Sequence, residues 1–362
     1  MSQYKNTFLA LATALTAAGS LMSCHELPSW SNDVYGNFDA LWTVLDEHYC
    51  FFEEKGVDWN EVGQRYRAKL KDDMTEKELF AVCADMLDEL RDGHTNLIAW
   101  FDVSYYRKWW SDYPQNFDWR LIQQYYLDFD YSTSGGLDYK LLEDCNVGYI
   151  RYESFAYGFT ESFSSDMLYT LKDCDGVVID IRDNGGGDLT NAEKLASHFV
   201  AEKTLGGYIC HKTGPGHNDF SKPYSYYIEP SIGVRWLKPV VILTNRGTFS
   251  AANNFVAMTR GLSHVAVMGN TTGGGSGAPF SSEIPCGWAV RFSASPIYDA
   301  DMKLTEYGIP PTEGYDLNMD AEAAANGHDT ILDTAIGTIN AYVAAFKDGN
   351  QVSFQEYLQS QK

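Results

Sequence analysis

Apolar residues recur every three or four positions between residues 34 and 97, which is the spacing of amphipathic helices. Three such faces follow one another, made of Phe38, Leu41, Trp42 and Leu45, then of Trp59, Val62, Tyr66 and Leu70, and then of Leu79, Val82, Cys83, Met86, Leu87 and Leu90. Thr75 and Glu78 have the spacing of a capping box, so the third helix is predicted to run from about Thr75 to Leu90. The pattern predicts an N-terminal helical subdomain over residues 34–97.

From residue 146 onward, short apolar runs alternate with helix-like segments. Strands are predicted at 147–152, 177–181, 240–243 and 264–268, and helices at about 189–200, after Ser250 and from Asp329. This alternation is typical of an α/β core with substantial parallel strand pairing. We expect that core over residues 146–346, with a C-terminal tail over 347–362.

The connecting region between these parts, residues 98–145, is rich in large aromatic residues: Trp100, Tyr105, Tyr106, Trp109, Trp110, Tyr113, Trp119, Tyr125 and Tyr126. Aromatic side chains of this density either pack between subdomains or form a surface that binds extended or apolar peptide. The sequence leaves both interpretations open.

The first residues resemble a secretory signal. An apolar stretch begins at Phe8 and ends in Leu21-Met22-Ser23-Cys24, which is similar to a bacterial lipobox and too short for a confident membrane span. We therefore predict a lipoprotein signal peptide over 1–23, a lipidated Cys24, and a tether over 24–33 that holds the protein in the bacterial cell envelope. An ordinary signal peptide with an incidental cysteine is the alternative.

Composition excludes several classes of partner. The net charge of −22 argues against nucleic acid, whose phosphates would be repelled. The other cysteines, Cys50, Cys83, Cys145, Cys174, Cys210 and Cys286, show no C-x-x-C spacing and suggest no metal site. No cofactor is expected, and the disulfide pairing is left open because the envelope permits disulfides whereas Cys83 falls in a helix face.

Ser250 is the strongest candidate for chemistry. It follows the apolar run Val240 to Leu243 and precedes a helix-like segment that starts at Ala251. A serine at such a corner can act as a nucleophile, because the helix N-terminus faces the oxygen that becomes negative during acyl transfer. A helix N-cap is the simpler interpretation of the same residue.

Two further segments contain groups that a serine nucleophile needs. Residues 176–188 have the pattern of a buried strand followed by a loop of three glycines. N–H groups near Gly186 and at Ala251 could form an oxyanion hole. No nucleotide-binding motif is present there. His94 lies just beyond the Thr75 helix, and its imidazole is suited to act as the base. A glycine turn and a solvated histidine are the structural alternatives.

Taken together, these segments resemble the S41 family of serine peptidases, which includes carboxyl-terminal-processing and tricorn-core-like proteases. The matching blocks are L-x-D-G-H-T at 90–95, D-x-R-x-N-x-G-G at 180–187, T-x-S-A-A at 248–252 and a glycine-rich block at 269–275. The resemblance covers about residues 35–345 and implies a mixed α/β core of the crotonase-like or ClpP-like type. Many members of the family carry a PDZ domain between the D-G-H block and the first core strand, but here the stretch from Asn96 to Val147 is too short for one.

Departures from the motifs indicate the tricorn-like branch. One branch of the family pairs its serine with a lysine after the nucleophile helix, but this chain has no lysine between Lys238 and Lys303. The tricorn-like branch uses the histidine, here His94, and a glutamate for which Glu306 is the candidate, one position from the expected register. Gly93 stands where that branch has a helper serine, and Asn253 stands where a glutamate is usual.

The resemblance implies a serine endopeptidase or carboxyl-terminal-processing peptidase that acts on peptide or protein substrates in the envelope. Ser250 would attack, His94 would accept the proton, and Glu306 would orient the base or the substrate. Because of Gly93 and Asn253, the alternative is a catalytically weak or inactive protein on the same scaffold that binds peptide or an apolar ligand.

Overall fold

The computed structural model describes residues 29–346 and 352–361. Its first part is helical, as the pattern predicts, with α1 (Val34–His48), α2 (Phe52–Lys55), α3 (Trp59–Arg67) and α4 (Glu76–Asp88). The predicted capping box is confirmed, since Thr75 and Glu78 exchange side-chain and backbone hydrogen bonds at the start of α4. The predicted signal peptide, Cys24 and the first half of the tether, residues 24–28, lie outside the described residues.

Eight more helices follow along the chain. They are α5 (Lys108–Ser111), α6 (Trp119–Tyr125), α7 (Glu161–Thr170), α8 (Leu189–Ser197), α9 (Ala251–Thr259), α10 (Ala321–Ala325), α11 (Thr330–Ala345) and α12 (Phe354–Ser360). In the described ranges, no helix is both long enough and apolar enough to cross a membrane.

A six-stranded sheet forms the centre of the core, in the order β2-β3-β4-β5-β8-β9. Its strands are β2 (Ser132–Ser134), β3 (Leu137–Leu142), β4 (Val147–Tyr152), β5 (Gly176–Asp180), β8 (Val240–Thr244) and β9 (Val265–Gly269). The pairs from β4 to β9 are parallel, whereas β2 and β3 add antiparallel strands. The expected α/β core with parallel pairing is confirmed.

Helices cover both faces of this sheet, because its central strands bury both of their faces. Along β5, Val177 and Ile179 pack with α7, α8 and α9, while Val178 packs with α6, α11 and α12. The core therefore has three layers. The carboxyl ends of β5 and β8 open at one edge, where the segments 181–188 and 245–250 continue toward the site.

A second sheet joins the helical subdomain to the core. Its strands are β1 (Asn96–Ile98), β6 (Thr204–Ile209), β7 (Tyr224–Ile228), β10 (Gly277–Glu283) and β11 (Ala289–Tyr298). β11 lies at its centre and pairs with β1, β6 and β10. Ile284, Trp288, Val290 and Phe292 pack into the apolar cluster of the N-terminal helices. The N-terminal boundary predicted at 97 therefore does not separate independent cores.

The C-terminal segment corrects another prediction. Residues predicted as a tail over 347–362 include α12, whose Phe354, Tyr357 and Leu358 are buried against the sheet. The Gln355 side chain donates to the carbonyls of Arg260, Leu262 and Val265 beside β9. Apolar burial and these hydrogen bonds make α12 part of the core.

An ion cluster lies under the glycine loop, which we define as residues 185–187. Arg182 binds Asp180 through two donors, at 2.9 and 2.5 Å, and Asp329 at 2.8 Å, and all three side chains are fully buried. Asp329 in turn caps α11 by accepting from Ile331 and Leu332. The D-x-R part of the family motif is therefore structural, because it connects the end of β5 to the start of α11.

Candidate active site

Ser250 lies at a strained corner between β8 and α9. Its backbone has φ of 57° and ψ of −120°, a conformation uncommon for residues other than glycine. The Ser250 N–H donates to the carbonyl of Gly274 at 2.8 Å, which fixes the corner. Its side chain makes no capping hydrogen bond to α9, so the N-cap interpretation does not describe this serine. The hydroxyl is left available for another partner.

That partner is His94. Its Nε2 lies 2.9 Å from the Ser250 Oγ, although the two residues are 156 positions apart in sequence. The His94 side chain is buried, and its backbone N–H donates to the Asp92 carboxylate at 2.8 Å. A buried imidazole within hydrogen-bond distance of a serine hydroxyl is the arrangement of nucleophile and general base.

Burial governs the protonation of His94. It lowers the pKa of the imidazole to about 4, and the nearby Arg291 and Lys55 charges act in the same direction, against the Asp92 carboxylate. His94 is therefore neutral near pH 7 and can accept a proton at Nε2. The Gly277 carbonyl lies near the imidazole and favours its protonated form, whereas the His94 Nδ1 forms no hydrogen bond.

Aromatic packing fixes the plane of the His94 ring. The ring lies 4.8 Å from the Phe249 ring, which stacks on Trp109 at 4.1 Å between centroids. A Cβ at Gly93 would lie 2.6 Å from the Trp109 indole nitrogen and 2.8 Å from Phe249. The space of the helper serine expected in the tricorn-like branch is thus filled by the rings of Trp109 and Phe249.

Glu306 lies near the pair without bonding to His94. Its Oε1 accepts from the Lys55 ammonium at 2.8 Å, and its Oε2 accepts from the Ser276 N–H at 2.9 Å. Burial, followed by the Asp92 charge, raises the pKa of Glu306 to about 7 despite the ammonium. Glu306 therefore reaches the base only indirectly, since Ser276 precedes the Gly277 carbonyl that faces His94.

The glycine loop lies close to the nucleophile. The Gly186 N–H donates to the Asn184 side-chain oxygen at 2.9 Å, so this donor is used within the loop here, and a predicted oxyanion donor near Gly186 stays a prediction. Gly186 has φ of +93°, and a Cβ there would lie 2.7 Å from the Ser250 Cβ and 2.8 Å from the Ala251 nitrogen. Its function is close approach to the nucleophile.

Ala251 remains a suitable oxyanion donor. It is the first residue of α9, and the first N–H groups of a helix have no intrahelical acceptor. Asn253, two residues later, accepts from Thr272 at 2.7 Å and donates to the Thr305 hydroxyl at 3.0 Å. The amide that replaces the usual glutamate thus joins the nucleophile helix to the loop that carries Glu306.

Aromatic residues of the connecting region pack against the core and also line a cavity, whereas peptide binding there stays a prediction. Trp119 packs over the Arg151 guanidinium at 4.3 Å, which is structural. Trp109, Trp110 and Tyr113 instead line a cavity of about 470 Å³ together with Gly185 and Arg246. The cavity is thus lined by the glycine loop and by the segment that leads to Ser250, whereas Ser250 and His94 themselves are not among its lining residues.

Two charged residues of the site were not assigned by sequence reasoning. Asp92 was contained in the D-G-H block and could have been found there. Lys55 gave no local signal, because its partner Glu306 is 251 positions away. Across the part of the chain that the structure describes, His, Cys, Asp and Glu side chains form no cluster able to hold a metal ion.

Comparisons with known proteins identify the family. Residues 146–314 match the model of peptidase family S41, and residues 32–88 match the tricorn protease C1 domain. Among curated relatives, the carboxy-terminal processing protease CtpB of Bacillus subtilis is 27% identical over 136 residues, which is 37% of this chain and 26% of CtpB. CtpA of the same organism is 27% identical over 176 residues, or 48% of this chain and 36% of CtpA.

The matches thus span only about a quarter to a third of the length of these curated relatives. A solved structure gives a longer match. The crystal structure of a candidate peptidase from Parabacteroides merdae is 47% identical, covers 85% of this chain and 97% of that chain, and superposes with a TM-score of 0.81. Two matching family models and this full-length structural relative show that the chain belongs to the S41 family of peptidases.

Proposed function

We propose that this chain is a serine peptidase that hydrolyses peptide bonds with Ser250 as nucleophile and His94 as base. The supporting observation is the distance of 2.9 Å between the His94 Nε2 and the Ser250 Oγ at a strained strand-to-helix corner. The S41 family and the names of the curated relatives, both carboxy-terminal processing proteases, agree with this activity.

In the acylation step, His94 Nε2 accepts the hydroxyl proton as Ser250 Oγ forms a bond to the scissile carbonyl carbon. The negative oxygen is stabilised by the Ala251 N–H and by another N–H of the glycine loop. The C–N bond then breaks, and the imidazolium returns the proton to the leaving amine. Water, deprotonated by the same imidazole, releases the acyl group and restores the serine.

The aromatic cavity lined by the glycine loop and by the segment leading to Ser250 suggests which substrates are preferred. Two indole rings and the Tyr113 ring form its walls, and the Arg246 guanidinium lies over the Tyr113 ring at 4.3 Å. Aromatic walls favour a large apolar side chain of the peptide. We expect cleavage next to such residues, with selection made by the cleft itself.

The cell envelope is the proposed location. Its support is the lipobox-like sequence Leu21-Met22-Ser23-Cys24, which would place a diacyl or triacyl group on Cys24 after removal of residues 1–23. The substrates would then be envelope peptides or proteins.

A fluorophosphonate probe tests the activity against the alternative of a binding protein. The probe should label wild type at Ser250, and Ser250→Ala should lose both labelling and peptide hydrolysis. Ser164→Ala is a matched control, because Ser164 also contacts a histidine, His198, at 2.7 Å, but both side chains are fully buried. Absence of labelling in a folded wild type that retains peptide tightly would favour the binding protein.

A further inference from the structure

Lys55 occupies an unusual position for a lysine, because its ammonium is buried among groups of the catalytic loops. Its side chain is 2% exposed. The ammonium donates to Glu306 at 2.8 Å and to the Arg91 carbonyl at 3.1 Å, and it lies 3.9 Å from the Asp92 carboxylate. An ammonium has three donors, and all three groups belong to segments adjoining the Ser250–His94 pair.

The contact between Lys55 and the histidine loop is reciprocal. The Arg91 guanidinium donates to the Lys55 carbonyl at 2.5 Å, while the Lys55 ammonium donates to the Arg91 carbonyl. Arg91 itself has φ of 49°, so the chain reverses there just before Asp92 and His94. The end of α2 thus fixes the backbone from which the base projects.

Lys55 also connects that loop to the Glu306 loop. Its partner Glu306 accepts from the Ser276 N–H through Oε2, and the carbonyl of the next residue, Gly277, lies near the His94 imidazole. Lys55 also lies near Asp92, whose Oδ1 accepts from the backbone N–H of His94, so it reaches the loop that carries the base. The two loops that flank His94 therefore share one cation.

The charge balance makes the cation necessary. Asp92 and Glu306 are buried carboxylates, with 0% and 4% of their side chains exposed, and the neighbouring Tyr49, Cys50 and Tyr307 supply no positive charge. Arg291 is the other cation that acts on Asp92. Removing one partner from a buried ion cluster leaves an uncompensated charge, which is relieved when a carboxylate takes up a proton.

We propose that Lys55 is a positioning residue for the reaction: it keeps Glu306 ionised and fixes the Asp92 and Glu306 loops so that the His94 Nε2 stays at the Ser250 Oγ. The proposal rests on the proposed function, because it assigns Lys55 to the same Ser250–His94 pair.

The pH dependence distinguishes this role from simple structural support. The pKa of Glu306 is about 7 and that of His94 about 4, so the rate of Ser250 phosphonylation by a fluorophosphonate should fall on acidification near pH 7, with the ionisation of Glu306. Without the ammonium the pKa of Glu306 rises further. We call this fall in rate on the acidic side of the pH–rate profile the acid limb. It should therefore move to higher pH when Lys55 is replaced by an uncharged residue.

The experiment uses the full-length chain with Lys55→Met, Lys55→Arg and, as a control on an exposed lysine of the same subdomain, Lys71→Met. Lys55→Met should slow phosphonylation by about 10²-fold, as a misplaced catalytic group does. Its acid limb should move up by about one pH unit, a tenfold change in proton affinity. Lys55→Arg, which keeps the charge, should have its acid limb at the wild-type pH. Lys71→Met should have the wild-type rate and the wild-type acid limb.

Three outcomes would overturn the proposal. A folded Lys55→Met protein with the wild-type rate or the wild-type acid limb is the first. The second outcome applies if Lys55→Met does not fold. Glu306→Gln must then lose the fall in rate near pH 7, and a fall that persists in this variant overturns the proposal. The third outcome comes from an NMR titration of carbon-13-labelled glutamates, in which Glu306→Gln assigns the Glu306 signal. The proposal is overturned if Lys55→Arg shifts the Glu306 pKa from its wild-type value as far as Lys55→Met does.

That titration needs no turnover, so it also separates the two proposals. If the fluorophosphonate does not label wild type, the proposed function is contradicted. A raised Glu306 pKa in Lys55→Met would even then support the charge role of Lys55. If the fluorophosphonate labels wild type but the Glu306 pKa is unchanged in Lys55→Met, only the role of Lys55 is overturned.

Discussion

Gly93→Ala should impair the site although it adds only one methyl group. The Cβ would lie 2.6 Å from the Trp109 indole nitrogen and 2.8 Å from the Phe249 ring. Non-bonded heavy atoms are ordinarily about 3.5 to 4.0 Å apart, so one or both rings must retreat by about 1 Å. Phe249 packs on the His94 ring, and it is bonded to the nucleophile Ser250. The displacement therefore reaches both partners of the reaction.

The expected size follows from that displacement. Overpacking of this kind costs about 1–3 kcal/mol of folding free energy. A shift of about 1 Å in reacting groups costs about 10²-fold in rate. We expect Gly93→Ala to lower the rate of Ser250 phosphonylation about 10²-fold while the protein remains folded. Gly93→Ser should do the same, even though it restores the hydroxyl of the tricorn-like motif.

A double-mutant cycle with Trp109→Ala measures the contact directly. Phosphonylation rates and urea unfolding would be recorded for wild type, both single variants and the double variant. Because Trp109→Ala empties the space beside Gly93, the second substitution should cost less in that background than in wild type. Equal costs in both backgrounds, or a Gly93→Ala protein with wild-type rate and stability, would refute the steric argument. Increased activity in Gly93→Ser would refute it as well.

Three further outcomes are expected. His94→Ala should reduce peptide hydrolysis nearly as much as loss of Ser250, and wild-type activity retained in that variant would exclude the histidine as base. Arg182→Met should lower the free energy of unfolding by about 3–5 kcal/mol in urea titrations, because two buried carboxylates lose their cation; an unchanged midpoint would contradict the importance of the ion cluster. Cys24→Ser should abolish fatty-acid incorporation and release the protein from the membrane fraction, whereas lipidation that persists would argue for an ordinary signal peptide.

Local patterns predicted most of the fold because strand and helix periods are properties of neighbouring residues. The capping box at Thr75, the strands of the parallel sheet and the start of the last long helix at Asp329 all follow from short segments. Ser353 and Glu356 form a second capping box of the same kind. Their spacing could therefore have predicted the start of α12, where a tail was expected. Docking of the β10–β11 hairpin onto the N-terminal helices was not readable, because it depends on distant partners.

The site divides in the same way. Motif blocks named Ser250 and His94, and the family resemblance implied that they act together, but no local pattern gave the distance between them. Gly93 read as a missing hydroxyl, because only the folded chain shows that Trp109 and Phe249 occupy its place. Likewise, the Gly186 N–H could not be seen to bond to Asn184 until the loop was folded. Residues that act through distant charge, of which Lys55 is the clearest, have no local pattern to reveal them.

The two margins of the six-stranded sheet bear on self-association. Along β9, the segment 312–317 forms backbone hydrogen bonds with Val267 and Gly269, and Gln355 occupies the carbonyl of Val265. At the opposite margin β2 is three residues long, polar and fully exposed. Unpaired strand edges recruit other chains into aggregates, and covered or short polar edges resist this. Neighbouring copies of this chain therefore find little free backbone at these two margins with which to extend one another's sheets.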